Sequence, residues 1–174
     1  MTLPRRYRAA ASLLTALCFT ATIGAVAAPP LPTPIPSQAT AAPAGCTGPV
    51  SQNWLNVVVE RVRNGSGLVA VTLYADIPSK FLAKRGSLYV GRVDAQPGTT
   101  RACIYLPQPG VYALAIYHDE NANTKFDRTG IGFPVEGFGF SNNPTTLAGL
   151  PSYRSVRLNV PRSGMTARVQ LKYP

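Results

Sequence analysis

Over most of its C-terminal two-thirds the chain alternates apolar and polar residues with a period of two, which is the pattern of half-buried strands. Leu55, Val57 and Val59 share one parity against Asn56 and Glu60, predicting a strand over Asn53–Val62. Asn64-Gly65-Ser66-Gly67 then reads as a turn, because Asn-Gly favours positive φ. Leu68–Ala75 returns with Val69, Val71 and Leu73 on one face, so these two strands are expected to pair as a hairpin. Pro78 and Ser79 fit the start of a single helical turn carrying Phe81 and Leu82. A weak strand follows over Ser87–Val93, and a further one over Arg101–Leu106 after the Pro97-Gly98 turn. Arg154–Val160 and Met165–Tyr173 alternate cleanly, with outward faces that are polar and largely basic.

Val111–His118 is different, being apolar on nearly every residue of both parities. That suits a central strand covered on both faces, and it would deliver the chain directly into the segment after His118. The expected fold is all-β: an antiparallel β-sandwich of about seven strands, with a Greek-key, prealbumin- or immunoglobulin-like order. A small barrel is the alternative.

The N-terminus does not share this pattern. Arg5, Arg6 and Arg8 precede an uncharged apolar run, Ala9–Val26, that ends in Ala25-Val26-Ala27. This is the form of a signal peptide over residues 1–27, cleaved after Ala27. A membrane anchor is the other reading of such a run, but the small residues at its end favour cleavage, leaving no span in the mature chain. Cys18 follows Leu17, where a lipoprotein signal needs a small residue. Residues 28–45 are rich in Pro and Ala and carry no charge, as in an extended linker or disordered arm. A single β-sandwich domain is then expected over residues 46–174. Export, to the periplasm or outside the cell, makes Cys46–Cys103 a disulfide by default. Seventeen basic residues face seven acidic ones and three of the arginines lie in the leader, so the mature chain carries +7. No nucleic-acid motif or clustered basic run accompanies that charge. It leaves an anionic polymer or envelope surface as a candidate partner, beside the plainer reading of a solvated basic surface.

The chemistry concentrates between His118 and Asn143. Asp119, Asn121, Asn123, Lys125 and Asp127 are spaced as positions 1, 3, 5, 7 and 9 of an EF-hand-type loop, with Lys125 offering only its backbone carbonyl. Oxygen ligands of this kind suit calcium. Position 6, normally Gly, is Thr124, and position 12, normally Glu, is Gly130. Glu136 replaces the latter only if the chain folds back. The expectation is weak calcium binding, about 10⁻⁴–10⁻³ M. The competing reading is an Asx-rich turn in which these side chains cap their own backbone.

The stretch HDENANTKFD followed by Gly132, Pro134 and Glu136-Gly137-Phe138-Gly139-Phe140-Ser141-Asn142-Asn143 resembles the hallmark of the bacterial exported-protein family known as domain of unknown function 2141. Pro109–Ala115 resembles that family's strand entry, and Cys46 stands where such domains begin. The resemblance covers about residues 46 to 172. It implies an exported prealbumin-like β domain with no assigned activity. It also implies Gly where Thr124 stands, a departure that bears on metal binding.

No catalytic residue is assigned. A hydrolase-like alternative centred on His118 would use Ser141 as nucleophile, but Phe-Ser-Asn-Asn lacks the glycines of a nucleophile elbow. Phe133, Phe138 and Phe140 either plug one end of the sandwich or, if exposed, contact a ligand. With His118, Ser141 and Asn142 they make up the candidate ligand contacts. The reading these residues support is an exported, non-enzymatic β-sandwich module, calcium-stabilised, for binding or envelope association.

Overall fold

The computed structural model describes residues 41–146 and 150–174, so the expected leader and all but the end of the expected linker lie outside the described residues. Eight strands appear: β1 (Asn53–Val62), β2 (Leu68–Ala75), β3 (Tyr89–Asp94), β4 (Gly98–Leu106), β5 (Gly110–Asp119), β6 (Phe138–Phe140), β7 (Leu158–Val160) and β8 (Met165–Gln170). They form two sheets, β4-β1-β8 and β3-β2-β5-β6, with β7 pairing the start of β5. All pairs are antiparallel except β1 with β8, which is parallel. The fold is a β-sandwich, as the alternation predicts.

The main core lies between the sheets. Leu55, Val57 and Val59 of β1 meet Val69, Val71 and Leu73 of β2, joined by Ile104 and Leu106 of β4, Leu114 and Ile116 of β5 and Val169 of β8. Burying each of these side chains contributes about 1.5–3 kcal/mol relative to leaving it in water. At Arg61, with φ 63°, β1 bulges, and the register shifts between Glu60 and Val62. The bulge turns Val62 inward, where strict alternation would have placed Arg61.

Three expectations are corrected. β1 and β2 do not form a hairpin. They lie in different sheets, and the Arg63–Gly67 turn arches between them. Arg154–Val160 is not one strand: Tyr153–Val156 is a helical turn (α1) and only Leu158–Val160 pairs with β5. Its apolar residues divide accordingly, Val160 entering the main core and Val156 packing on the far face of the second sheet. β6, hidden in the Gly-aromatic run, was not expected as a strand. Gly139 allows it to lie close to the C-terminal strand, since a Cβ there would sit 2.6 Å from the Gln170 carbonyl. Phe138 and Lys172 exchange backbone hydrogen bonds of 2.9 and 2.8 Å, stitching the two sheets together along this edge.

Pro78–Lys80 forms the expected helical turn, and Phe81 packs against Tyr74, Phe140 and Tyr153. β5 is buried on both faces as expected: Tyr112, Leu114 and Ile116 face the main core, while Ala113 lies in the second cluster with Ala115 packed against it. Cys46 and Cys103 form a disulfide across 57 residues of sequence. Thr47 beside it exchanges hydrogen bonds with Cys103 and Tyr105, covering the outer edge of β4. Opening the bridge in a Cys46→Ser/Cys103→Ser variant should lower the unfolding free energy by about 2–4 kcal/mol, read from urea melts.

Candidate functional site

The loop between β5 and β6 is held at its base by the arch between β1 and β2. Asn64 accepts the Ser66 N–H on its side-chain oxygen at 2.9 Å, an Asx turn. Gly67, with φ +67°, passes so close that a Cβ would lie 2.0 Å from the Asp119 carbonyl. Arg63 donates to both carboxylate oxygens of Glu120 at 2.6 and 2.9 Å and stacks 4.6 Å over the Tyr173 ring. His118 is fully buried here. Its Nε2 donates to the Ser66 carbonyl at 2.8 Å, and its Nδ1 meets the Tyr173 hydroxyl at 2.8 Å. The arch and Tyr173 were not anticipated as neighbours of this site, because their proximity is a product of strand order.

Within the loop, Asp119 is buried and accepts the N–H of Asn123 at 3.0 Å on one oxygen and of Thr124 at 2.7 Å on the other. Asn121 caps Asn123 N–H at 3.1 Å, and Asn123 caps Lys125 N–H at 2.8 Å. Both Asn amides donate to the same Asp127 oxygen at 2.8 Å. The loop is therefore an Asx-capped turn in its own right. Each of the capping oxygens of Asp119, Asn121 and Asn123 accepts a single N–H, and a carboxylate or amide oxygen has two lone pairs. Thr124 takes φ 64°, so it adopts the left-handed conformation that Gly would take at that position.

The chain does fold back. Thr129 N–H donates to Phe133 O at 2.8 Å and Val135 N–H to Asp127 O at 3.0 Å. This hairpin returns Glu136 over the loop, where its Oε2 accepts the Asp127 N–H at 3.0 Å. Its Oε1 is buried and has no hydrogen-bond partner among the described residues. Burial pushes the Glu136 carboxyl above its ordinary value of 4.5, and the charges of Asp127, Asp119 and Glu120 push it further, against the lowering bond from Asp127 N–H. A carboxylate withdrawn from water near other carboxylates calls for a proton or a cation. No group of three or more His, Cys, Asp or Glu side chains converges as a metal cluster among the described residues. What the loop does bring together is the Asp127 carboxylate with the Asn121 and Asn123 amides, and the Glu136 carboxylate with the Asp127 N–H. Oxygen groups of this kind are the chemistry of a hard cation.

The other candidate contacts separate. Ser141 is buried, accepts Leu114 N–H at 3.0 Å and donates to the Val156 carbonyl. It shares no hydrogen bond with His118. Asn142 donates to the Arg157 carbonyl at 2.8 Å, and Asn143 accepts Gln170 N–H at 2.7 Å. Both therefore tie strand ends together. Phe133 is exposed at the hairpin tip, whereas Phe138 and Phe140 pack edge to face on the outer side of the second sheet. On the basic face, Arg168 pairs Glu60 at 3.2 Å and Arg157 pairs Asp76 at 2.6 Å. Bonds from Arg157 and Tyr153 hold the Asp76 carboxyl down at about 2.

Among comparisons with known proteins, the model of a bacterial family described as "Uncharacterized protein conserved in bacteria (DUF2141)" matches residues 57–168. No curated protein and no solved structure matches the chain. No helix among the described residues is long and apolar enough to cross a membrane.

Two outcomes follow from the loop geometry. Because the folded-state value of Glu136 is raised, the unfolded chain releases this proton first as pH rises. In chelator, the unfolding free energy should therefore fall as pH climbs from about 4.5 through the raised value, and Glu136→Gln should remove that part of the slope. Urea melts between about pH 4 and 8 measure it. Thr124→Gly relieves a left-handed β-branched residue at the cost of a more flexible unfolded chain. It should stabilise the fold by about 0.5–1 kcal/mol in the same assay.

Proposed function

The chain belongs to the DUF2141 family of bacterial proteins, and we propose that it is an exported, non-enzymatic β-sandwich module whose β5–β6 loop holds a calcium ion and which serves binding or envelope association. One observation supports the cation reading: the buried, unpartnered Oε1 of Glu136, whose other oxygen accepts the Asp127 N–H. Asp119, Asp127 and Glu136 would supply charge, Asn121 and Asn123 amide oxygens, and Lys125 its carbonyl. An all-oxygen set favours calcium over a transition metal. Three carboxylates on a loop that also satisfies itself point to low affinity, in the range of extracellular calcium modules.

The role of the ion in this reading is structural. It neutralises carboxylates that repel one another and ties the 127–136 hairpin to the end of β5. The apolar leader and its small-residue end support export, and a disulfide is the chemistry of an oxidising compartment. His118 acts as a buried clamp between β5, the arch and Tyr173, with both ring nitrogens engaged.

Thermal unfolding in millimolar calcium and in chelator tests this. Calcium at about 100 times its Kd adds about 2.7 kcal/mol, a rise of several degrees in Tm for a domain of this size. The rise should vanish in Asp127→Asn and in Glu136→Gln. Equal Tm values with calcium and chelator, with both variants behaving like the parent, would make the loop a self-capped turn and overturn the reading.

A further inference from the structure

The second sheet has an outer face, and its register explains a hollow there. Side chains on that face fall in rows across the strands: Arg92, Ala70, Tyr117 and Phe138 in one, Val90, Thr72, Ala115 and Phe140 in the next. The central strands β2 and β5 thus contribute mainly small residues, Ala70, Thr72 and Ala115, while β6 contributes two phenylalanines. Small residues beside large ones leave a floor with a wall. The β5–β6 loop completes the enclosure with Phe126, Arg128 and Pro134, and Tyr74 and Leu82 close the other end.

The resulting pocket has a volume of about 140 Å³. A dry apolar cavity of about 150 Å³ holds one benzene ring. Phe126 lies edge to face with Phe138 and tilted against Tyr117, and Phe138 is edge to face with Phe140, so the wall is a continuous aromatic chain. Among the described residues of the lining, Arg128 is the only charged one. Its guanidinium stacks 4.8 Å over Phe126 and spends one bond, at 2.9 Å, on the Gly132 carbonyl. No carboxylate among the described residues pairs with it. A guanidinium has five donors in a fork suited to a carboxylate, so most of its hydrogen-bonding capacity remains at the rim.

We propose that this pocket is a binding site for a small aromatic carboxylate, its ring against Phe126, Phe138 and Phe140 and its carboxylate on Arg128. The ligand's ring replaces water over an apolar floor, and its charge meets Arg128 at the mouth. The site does not require a cation in the loop, although the loop supplies part of its wall.

Titration of the purified protein with benzoate and phenylacetate, followed in ¹H–¹⁵N spectra, tests the proposal, with benzyl alcohol as the neutral counterpart. The expected result is saturable shifts at amides of residues 115–117, 126–128 and 138–140, with benzyl alcohol binding several-fold more weakly. Arg128→Gln, at an exposed position, should reduce the carboxylates to the affinity of the alcohol. Ala115→Leu should fill the floor and abolish all three responses while the spectrum stays dispersed. Running the series in chelator separates a failure of this site from a failure of calcium binding. Absent shifts, shifts on another surface, or carboxylate binding that ignores Arg128→Gln would overturn it.

Discussion

A single carboxylate removed from water sets the character of the β5–β6 end of this molecule. Glu136 reaches back over the β5–β6 loop, takes the Asp127 N–H on one oxygen, and buries the other without a partner. Such a group is costly unless it is protonated or joined by a cation. The Thr129–Phe133 turn fixes the return of the chain, Asp119 is locked by two backbone amides, and Gly67 presses against the Asp119 carbonyl. The loop is thus held by its own hydrogen bonds while one Glu136 oxygen has none, and the cation reading rests on that contrast.

β5 connects that loop to the rest of the fold. Its inward residues Tyr112, Leu114 and Ile116 lock it into the main core, so the end of the strand at His118–Asp119 is held firmly. Its outward residues Ala113 and Ala115 are small, and the aromatic pocket opens over Ala115. The loop carries Asp127 and Glu136 next to Asp119 at the end of β5, and it also lines the outer pocket with Phe126, Arg128 and Pro134. A change in loop order would therefore be felt at both.

The sequence revealed what depends on local pattern. Alternation located β1, β2 and β8, turn signals bounded β3 and β4, the double-parity run identified β5 as central, and Cys46 and Cys103 are joined. The spacing from Asp119 to Asp127 picked out the loop, and the hallmark motif pointed to the family whose model matches residues 57–168. What escaped depends on pairing across distance. Asn64–Gly67 carries the same turn signals whether it closes a hairpin or arches between sheets. Val156 keeps strand periodicity with Val160 yet packs in a different cluster, because the helical turn at Tyr153–Val156 rotates it away. β6 is three residues long and framed by glycines needed for close approach to the C-terminal strand, so it carries no strand signature of its own. The pocket is invisible without register, since its floor comes from β2 and β5 and its wall from β6 and the loop.

The most direct measurement is the titration of the Glu136 carboxyl itself by ¹³C NMR, assigned with Glu136→Gln, in chelator and in millimolar calcium. The midpoint should lie above the ordinary 4.5 in chelator and drop on adding calcium, because the ion stabilises the charged form. A midpoint that is the same in both conditions would contradict the cation reading.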